Sequence, residues 1–177
     1  MPPVNFASSM PTIIRPEEPR DAAAIERVTI DAFTSAPHTD HTEQFIVREL
    51  RRANALAVSL VAEVNGQIVG HVAVSAVQIS DGAHSWFGLG PISVLPAHQG
   101  QGVGTQLMES AIQRLMTIAA KGCVVLGDPG YYGRFGFAPL AGLVLPGVPA
   151  EYFQALVLNS EIPQGEVTYH PAFEAKR

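Results

Sequence analysis

The first strong apolar period along the chain is helical. After a short extended stretch at residues 12–15, prolines and glutamates at 16–19 punctuate the chain. Ile25, Val28, Ala32 and Phe33 then recur at the spacing of one helix face. Pro19 suits a first helical turn, where its missing amide costs nothing, and neighbouring acidic residues complement the helix dipole. The polar segment 34–42, interrupted by Pro37, reads as a loop. A second helix over about 43–53 turns Phe45, Ile46, Leu50 and Ala53 inward.

The period then changes. Residues 56–64 and 67–80 are rich in β-branched residues and alanine, and Asn65-Gly66 between them is a strong two-residue hairpin signal. Asp81-Gly82 marks a further turn into residues 84–95, so three strands form an antiparallel meander. Gly88 and Gly90-Pro91 interrupt the third strand. Proline cannot donate to a ladder, and a glycine within a strand marks a bulge or the close approach of another group. A long helix over about 103–120 carries Val103, Leu107, Ala111, Leu115 and Ile118 on one stripe, and Lys121-Gly122 reads as its end. Residues 123–127 then form a buried strand. Asp128-Pro129-Gly130 turns into a short helix at 131–135, Gly136-Phe137 leads into an edge strand, and 151–159 is a last clear strand. The pattern leaves the tail to residue 177 without an assigned element. One mixed sheet with helices packed on it accommodates this order, as a single domain over residues 12–177 preceded by a flexible arm at 1–11.

Composition narrows the functional classes. The chain has 177 residues, 47% hydrophobic and 15% charged, which is a globular balance with enough length for a substantial core. A formal charge of −5 without a run of basic residues argues against nucleic-acid binding. No apolar run approaches the roughly 18 residues of a membrane span. Residues 1–11 lack the basic and apolar regions of a secretory signal, so the cytoplasm is the expected location. Cys123 is the single cysteine, lies in an apolar run and reads as a small core hydrophobe.

The chemistry concentrates between the third strand and the long helix, at Gln99-Gly100-Gln101-Gly102-Val103-Gly104-Thr105. Three glycines in five residues let backbone curl tightly and approach a ligand. No Ser, Thr, Asp or Asn precedes Thr105 to cap the first helical amides, which suits a phosphate or pyrophosphate. The dinucleotide fingerprint needs glycine where Thr105 stands, and the Walker loop needs a Gly-Lys pair that is absent. A tight turn that binds nothing is the structural alternative.

The pattern Gln/Arg-x-x-Gly-x-Gly/Ala, met by Gln99, Gly102 and Gly104, resembles the pyrophosphate loop of the GCN5-related N-acetyltransferases. A second motif, Tyr132-Gly133-Arg134-Phe135-Gly136-Phe137, is similar to that family's Tyr-x-x-x-Gly-Phe. The two stand in the family's order, about thirty residues apart, on matching elements over roughly residues 12–160. The run from Leu126 to Tyr132 resembles the YhbS-like branch of predicted acetyltransferases. The resemblance implies an α+β fold of three α/β/α layers around a mixed, mainly antiparallel sheet of six to seven strands. It also implies acetyl-CoA as cosubstrate, no metal, and an N-acetyltransferase acting on a small-molecule or peptide amine by direct attack on the thioester. A homodimer is compatible with it.

Residue by residue, the resemblance gives Ile92, Ser93 and Val94 the pantetheine arm, through strand-edge backbone groups. It gives Gln99, Gly100, Gln101, Gly102, Val103, Gly104 and Thr105 the pyrophosphate, and gives Tyr132 the protonation of the departing thiolate. Tyr132 as a core tyrosine is the structural alternative. The family's asparagine before the short helix is replaced by Asp128-Pro129, so that cofactor contact is not carried over. Attack on a thioester requires an unprotonated amine, an oxyanion donor, expected near Gly90 to Ile92, and a general acid for the thiolate. His84, Glu43 and Asp128 stand as candidates for the base, whereas His71 in an apolar strand reads as core. His38, Asp40 and His41 lack the spacing and third strong ligand of a metal site and read as solvated loop. Tyr152 and Phe153 are expected in the core or an interface, and Tyr169-His170-Pro171 stands as a segment able to close over the acceptor. A non-catalytic acyl-CoA-binding or sensing module is the rival reading, which Tyr132 disfavours.

Overall fold

The computed structural model describes residues 10–177; the rest of the expected N-terminal arm lies outside the described residues. The chain begins with β1 (Thr12–Pro16), α1 (Ala22–Phe33) and α2 (Glu43–Arg52). Next come β2 (Val58–Val64), β3 (Gln67–Ala76), β4 (Gln78–Ile79) and β5 (Trp86–Val94). After α3 (Val103–Thr117), β6 (Gly122–Leu126) and α4 (Pro129–Tyr132), it closes with β7 (Leu143–Val144), β8 (Phe153–Val157) and β9 (Gly165–Thr168).

Six strands form the main sheet in the order β1-β2-β3-β5-β6-β8, antiparallel except for the β5–β6 pair. This is the mixed, mainly antiparallel sheet that the family resemblance implies. The alternation of side chains along β2 explains the three layers. Leu60 and Ala62 point into the cluster with Leu107, Met108, Ala111 and Leu115 of α3, whereas Val61 packs with Ile25 of α1 and Val47 of α2 on the other face. Each fully buried leucine of α3 contributes about 1.5–3 kcal/mol relative to exposure. Arg15 ties the entry to α1 onto the sheet, donating to Asp21 at 2.7 Å and to Glu63 at 2.9 Å. The guanidinium holds the Asp21 carboxyl below its ordinary range.

Several local expectations change. A second sheet, β4-β9-β7, gives the unassigned tail a place: residues 67–80 break after Ala76, and β4 leaves the main sheet to pair with β9. The edge strand expected after Gly136-Phe137 reduces to one bridge between Ala138 and Ala155. Ala53 is exposed because α2 ends at Arg52, and Val47 takes the buried position. Ile118 is likewise exposed: α3 stops at Thr117 and Ala120 folds back into the core, with its amide donating to Leu115. The reversal uses Ala119, at φ 58°, rather than Gly122. Gly122 is instead the first residue of β6, and a Cβ there would overlap the Trp86 ring, so the glycine serves packing.

His71 is a core residue as expected. It is fully buried, Nε2 is 2.8 Å from the Ser59 hydroxyl, and burial pushes its pKa down to about 3, which keeps it neutral. Cys123 is fully buried, and burial pushes its thiol pKa up. Phe153 is buried, but Tyr152 is exposed at the end of the short turn before β8.

Candidate active site

The site begins where β5 and β6 part. Their parallel pairing covers Trp86 to Gly88 of β5 and Gly122 to Val124 of β6, and then ends. On its other side β5 stays paired with β3 as far as Val94, although the register shifts between Val72 and Val74, opposite Gly90 and Pro91. From Leu89 to Val94, β5 therefore presents an edge with no partner strand toward a gap that widens along the strands. Ile92, Ser93 and Val94 all lie on this edge. Ile92 and Val94 pack their side chains on the α3 cluster, and Ser93 buries a hydroxyl that has no partner among the described residues.

Beyond Val94 the chain enters the glycine loop. Gly100 and Gly102 have φ values of 74° and 84°, the left-handed region that favours glycine, and the turn aims the start of α3 outward. None of the six backbone amides from Gly100 to Thr105 reaches an acceptor among the described residues, and α3 has no side-chain cap. Six open donors at a helix N-terminus form a concave anion site with the positive end of the helix dipole behind it. The side chains of Gln99 and Gln101 turn inward: Gln99 donates to the Val94 carbonyl at 3.0 Å, and Gln101 to that of Ala97 at 3.2 Å. Gln99 therefore shapes the loop through its side chain.

Gly104 is a glycine for another reason. Its backbone is helical, but a Cβ there would lie 2.8 Å from the Tyr131 hydroxyl. Tyr131 reaches from α4 onto the loop, and its ring lies 4.9 Å beneath the Arg134 guanidinium. Beside them Glu109, Ile112, Gln113 and Met116 of α3 face Arg134 and Phe135 across a groove of about 400 Å³. Tyr131 and Arg134 were not singled out as site residues by the sequence reading. The signal was present, since they flank Tyr132 in the second motif, but their contact with the loop arises only in three dimensions.

Tyr132 stands at the gap. Its ring lies on Gly127, where a Cβ would come within 2.6 Å of Cε2, and meets Tyr131 and Phe137 edge-on at 5.0 and 6.1 Å between centroids. These contacts hold the ring, while the hydroxyl has no hydrogen-bond partner among the described residues. Burial, with Tyr131, Asp128 and Cys123 as lesser causes, pushes its pKa up to about 12. It is a protonated donor held in place with nothing to donate to.

The three candidate bases separate. His84 is exposed beside Ser85 and Lys121 at the start of β5, the end opposite the phosphate loop. Asp128 caps α4, accepting from the Gly130 amide at 3.0 Å. Glu43 accepts a hydrogen bond from Thr39 through one carboxylate oxygen, and the other is buried without a partner among the described residues. His38 and His41 lie in the loop before α2 at φ 57° and 60°, and no group of three or more His, Cys, Asp or Glu able to hold a metal occurs among the described residues. No described helix is long and apolar enough to cross a membrane.

A helix N-terminus with open amides, a β5–β6 gap beside it and a tyrosine held nearby lie together in the fold. Comparison with known proteins gives the family. Residues 55–139 match the family described as acetyltransferase (GNAT) domain. The uncharacterized N-acetyltransferase YhbS of Escherichia coli (strain K12) is 35% identical over 126 residues, covering 71% of this chain and 72% of the relative. Among solved structures, a GNAT family acetyltransferase from Brucella melitensis in complex with acetyl-CoA aligns with a TM-score of 0.83 at 46% identity, covering 93% of this chain and 99% of that one. The YhbS structure from Escherichia coli in complex with CoA aligns with a TM-score of 0.85 at 32% identity, over 94% and 93%. The chain belongs to the GNAT family of acetyltransferases, enzymes of acetyl-CoA-dependent acyl transfer.

Proposed function

We propose that this chain transfers the acetyl group of acetyl-CoA to a primary amine by direct attack of the amine on the thioester. The observation that carries the proposal is the pairing of six open amides at the start of α3 with the unpartnered Tyr132 hydroxyl at the β5–β6 gap. The donor set fits the group: Gly100 to Thr105 hold the pyrophosphate, and the free edge of β5 at Ile92 to Val94 pairs with the amide-bearing pantetheine arm. Bound there, acetyl-CoA supplies the activated acyl group.

Negative charge developing on the carbonyl oxygen needs a donor at the gap, and the backbone beside Gly90, where the β3–β5 register shifts, is the place for one. Tyr132, with its pKa pushed up to about 12, keeps its proton at neutral pH and delivers it to the sulfur as the carbon–sulfur bond breaks. A half-buried tyrosine that served packing alone would pair its hydroxyl, and the lack of a partner among the described residues favours catalysis over a sensing module.

The test is thiol release from acetyl-CoA with a panel of primary amines: spermidine, tyramine, an aminoglycoside, an alanine-initiated peptide and a lysine peptide. Amine-dependent release, with the acetylated product seen by mass spectrometry, is the expected result. Tight acetyl-CoA binding with no release on any amine favours the sensing module, and failure of acetyl-CoA to bind overturns both readings.

A further inference from the structure

The gap between β5 and β6 has a second tyrosine on its other side. Tyr169 follows β9 and enters a turn at Pro171–Glu174 whose Ala172 packs against Ile46 and Leu50 of α2. Its ring lies against Phe173 at 4.8 Å between centroids and joins the cluster of Val77, Trp86, Val124 and Phe153. Val124 and its neighbours Cys123 and Val125 point to opposite faces of β6, and Tyr132 packs with the latter pair. The two tyrosines thus approach the β5–β6 boundary from opposite faces of the sheet.

Gly88 shows how close Tyr169 comes. It is the last residue of β5 paired with β6, at the vertex of the gap, and a Cβ on it would overlap the Tyr169 ring. Its φ is not in the left-handed region, so space, not backbone conformation, requires the glycine. A glycine inside a strand weakens it relative to alanine, a cost that the seating of this ring offsets. Across the ladder from Gly88, on the same face, Ser75 buries a hydroxyl with no partner among the described residues. The Tyr169 hydroxyl has no partner among the described residues either. Burial raises its pKa, and the ring edge that carries it lies over Gly88 at the vertex of the gap.

We propose that Tyr169 is the acceptor-side wall of the reaction site and that its neutral hydroxyl hydrogen-bonds the incoming amine, on the face opposite Tyr132. It is a positioning residue: a phenol held protonated cannot serve as the base, but its oxygen accepts from an amine N–H and orients the nitrogen lone pair toward the acyl carbon. The inference rests on the acetyltransferase reading and extends it to the C-terminal segment.

The deciding experiment replaces the four tyrosines of the chain with 3-fluorotyrosine and assigns their fluorine resonances by single Tyr→Phe variants. Spectra of the CoA and acetyl-CoA complexes are then compared, because these ligands differ only in the acetyl group. Tyr132 and Tyr169 are expected to occupy different line positions in the two complexes. Tyr131, beside the phosphate loop, responds to both ligands alike, and exposed Tyr152 to neither. A Tyr169 line that is the same in both complexes while Tyr132 moves overturns this inference alone; if neither line moves, the acetyltransferase reading fails with it. With a productive amine of the panel, Tyr169→Phe should raise the amine KM about tenfold, the equivalent of one lost hydrogen bond, and leave acetyl-CoA affinity unchanged. An unchanged amine KM contradicts the role.

Discussion

The two halves of this site are built from different materials. The half assigned to the cofactor is backbone: amides of Gly100 to Thr105 and the free edge of β5, with side chains such as Gln99 and Gln101 used to shape the loop. The half assigned to the acceptor is a side chain brought from a distant segment, Tyr169 after β9 laid over Gly88 of β5. Backbone recognition depends on conformation and is tied to a few glycines and one helix start. Side-chain recognition depends on which segments fold together, and each segment can vary alone. A family with one donor and many acceptors has reason to divide its site in this way.

The largest expected effect separates chemistry from binding. Tyr132→Phe should lower kcat by roughly 10²–10⁴-fold, the range for loss of a general acid, while acetyl-CoA affinity changes little. Turnover and calorimetric titration, measured per folded molecule, check it; full turnover in the variant would remove Tyr132 from the mechanism.

Next is the loop. Gly102→Val places a branched side chain at φ 84°, and Gly104→Val drives its Cβ into the Tyr131 hydroxyl. Each should weaken acetyl-CoA binding by roughly 10–100-fold, consistent with a strain of about 1–3 kcal/mol in the donor array, with a smaller change in melting temperature. The milder Gly104→Ala should recover part of its lost affinity when Tyr131→Phe removes the opposing oxygen. Equal acetyl-CoA affinity in parent and both valine variants would make the loop a turn only.

Gly88→Ala tests the acceptor half. The new methyl displaces the Tyr169 ring, so the amine KM should rise up to about tenfold while the acetyl-CoA Kd stays constant, and overpacking should cost about 1–3 kcal/mol of stability. A rise in the acetyl-CoA Kd as large as that in amine KM would show that the halves are not separable.

The smallest effect is the absence of one. The Tyr132 pKa is raised from 10 to about 12, so its acid form persists through pH 10, and the alkaline limb of kcat due to this group should begin only as pH nears 12. The same shift adds stability that is complete below pH 10 and lost as pH rises toward 12. A kcat limb from Tyr132 near pH 10, identified by its loss in Tyr132→Phe, would show that its hydroxyl is not desolvated.

How much was legible follows the same division. The meander, the long helix and the glycine loop were readable because each rests on local rules: alternation with an Asn65-Gly66 turn, a helical stripe from Val103 to Leu115, and an uncapped helix start. Tyr132 was reached through a motif and not through chemistry visible in its neighbours. Tyr131 over Gly104, Trp86 over Gly122 and Tyr169 over Gly88 were not legible. In each case a glycine that reads as a turn or strand interruption makes room for an aromatic ring from another part of the chain.

By itself, then, the order of apolar and polar residues determined the elements and the place where backbone amides are left open, because hydrogen bonding within a helix and a hairpin is decided over a few residues. Tertiary structure decided where β5 and β6 part, which end of β5 His84 occupies, and that the C-terminal segment returns to form a second sheet with β4 and bring Tyr169 to the gap. Those outcomes depend on packing between residues 90 or more positions apart, such as Gln78 opposite Thr168 and Ile46 against Ala172, and burying such surfaces is a property of the assembled layers that no short window of sequence contains.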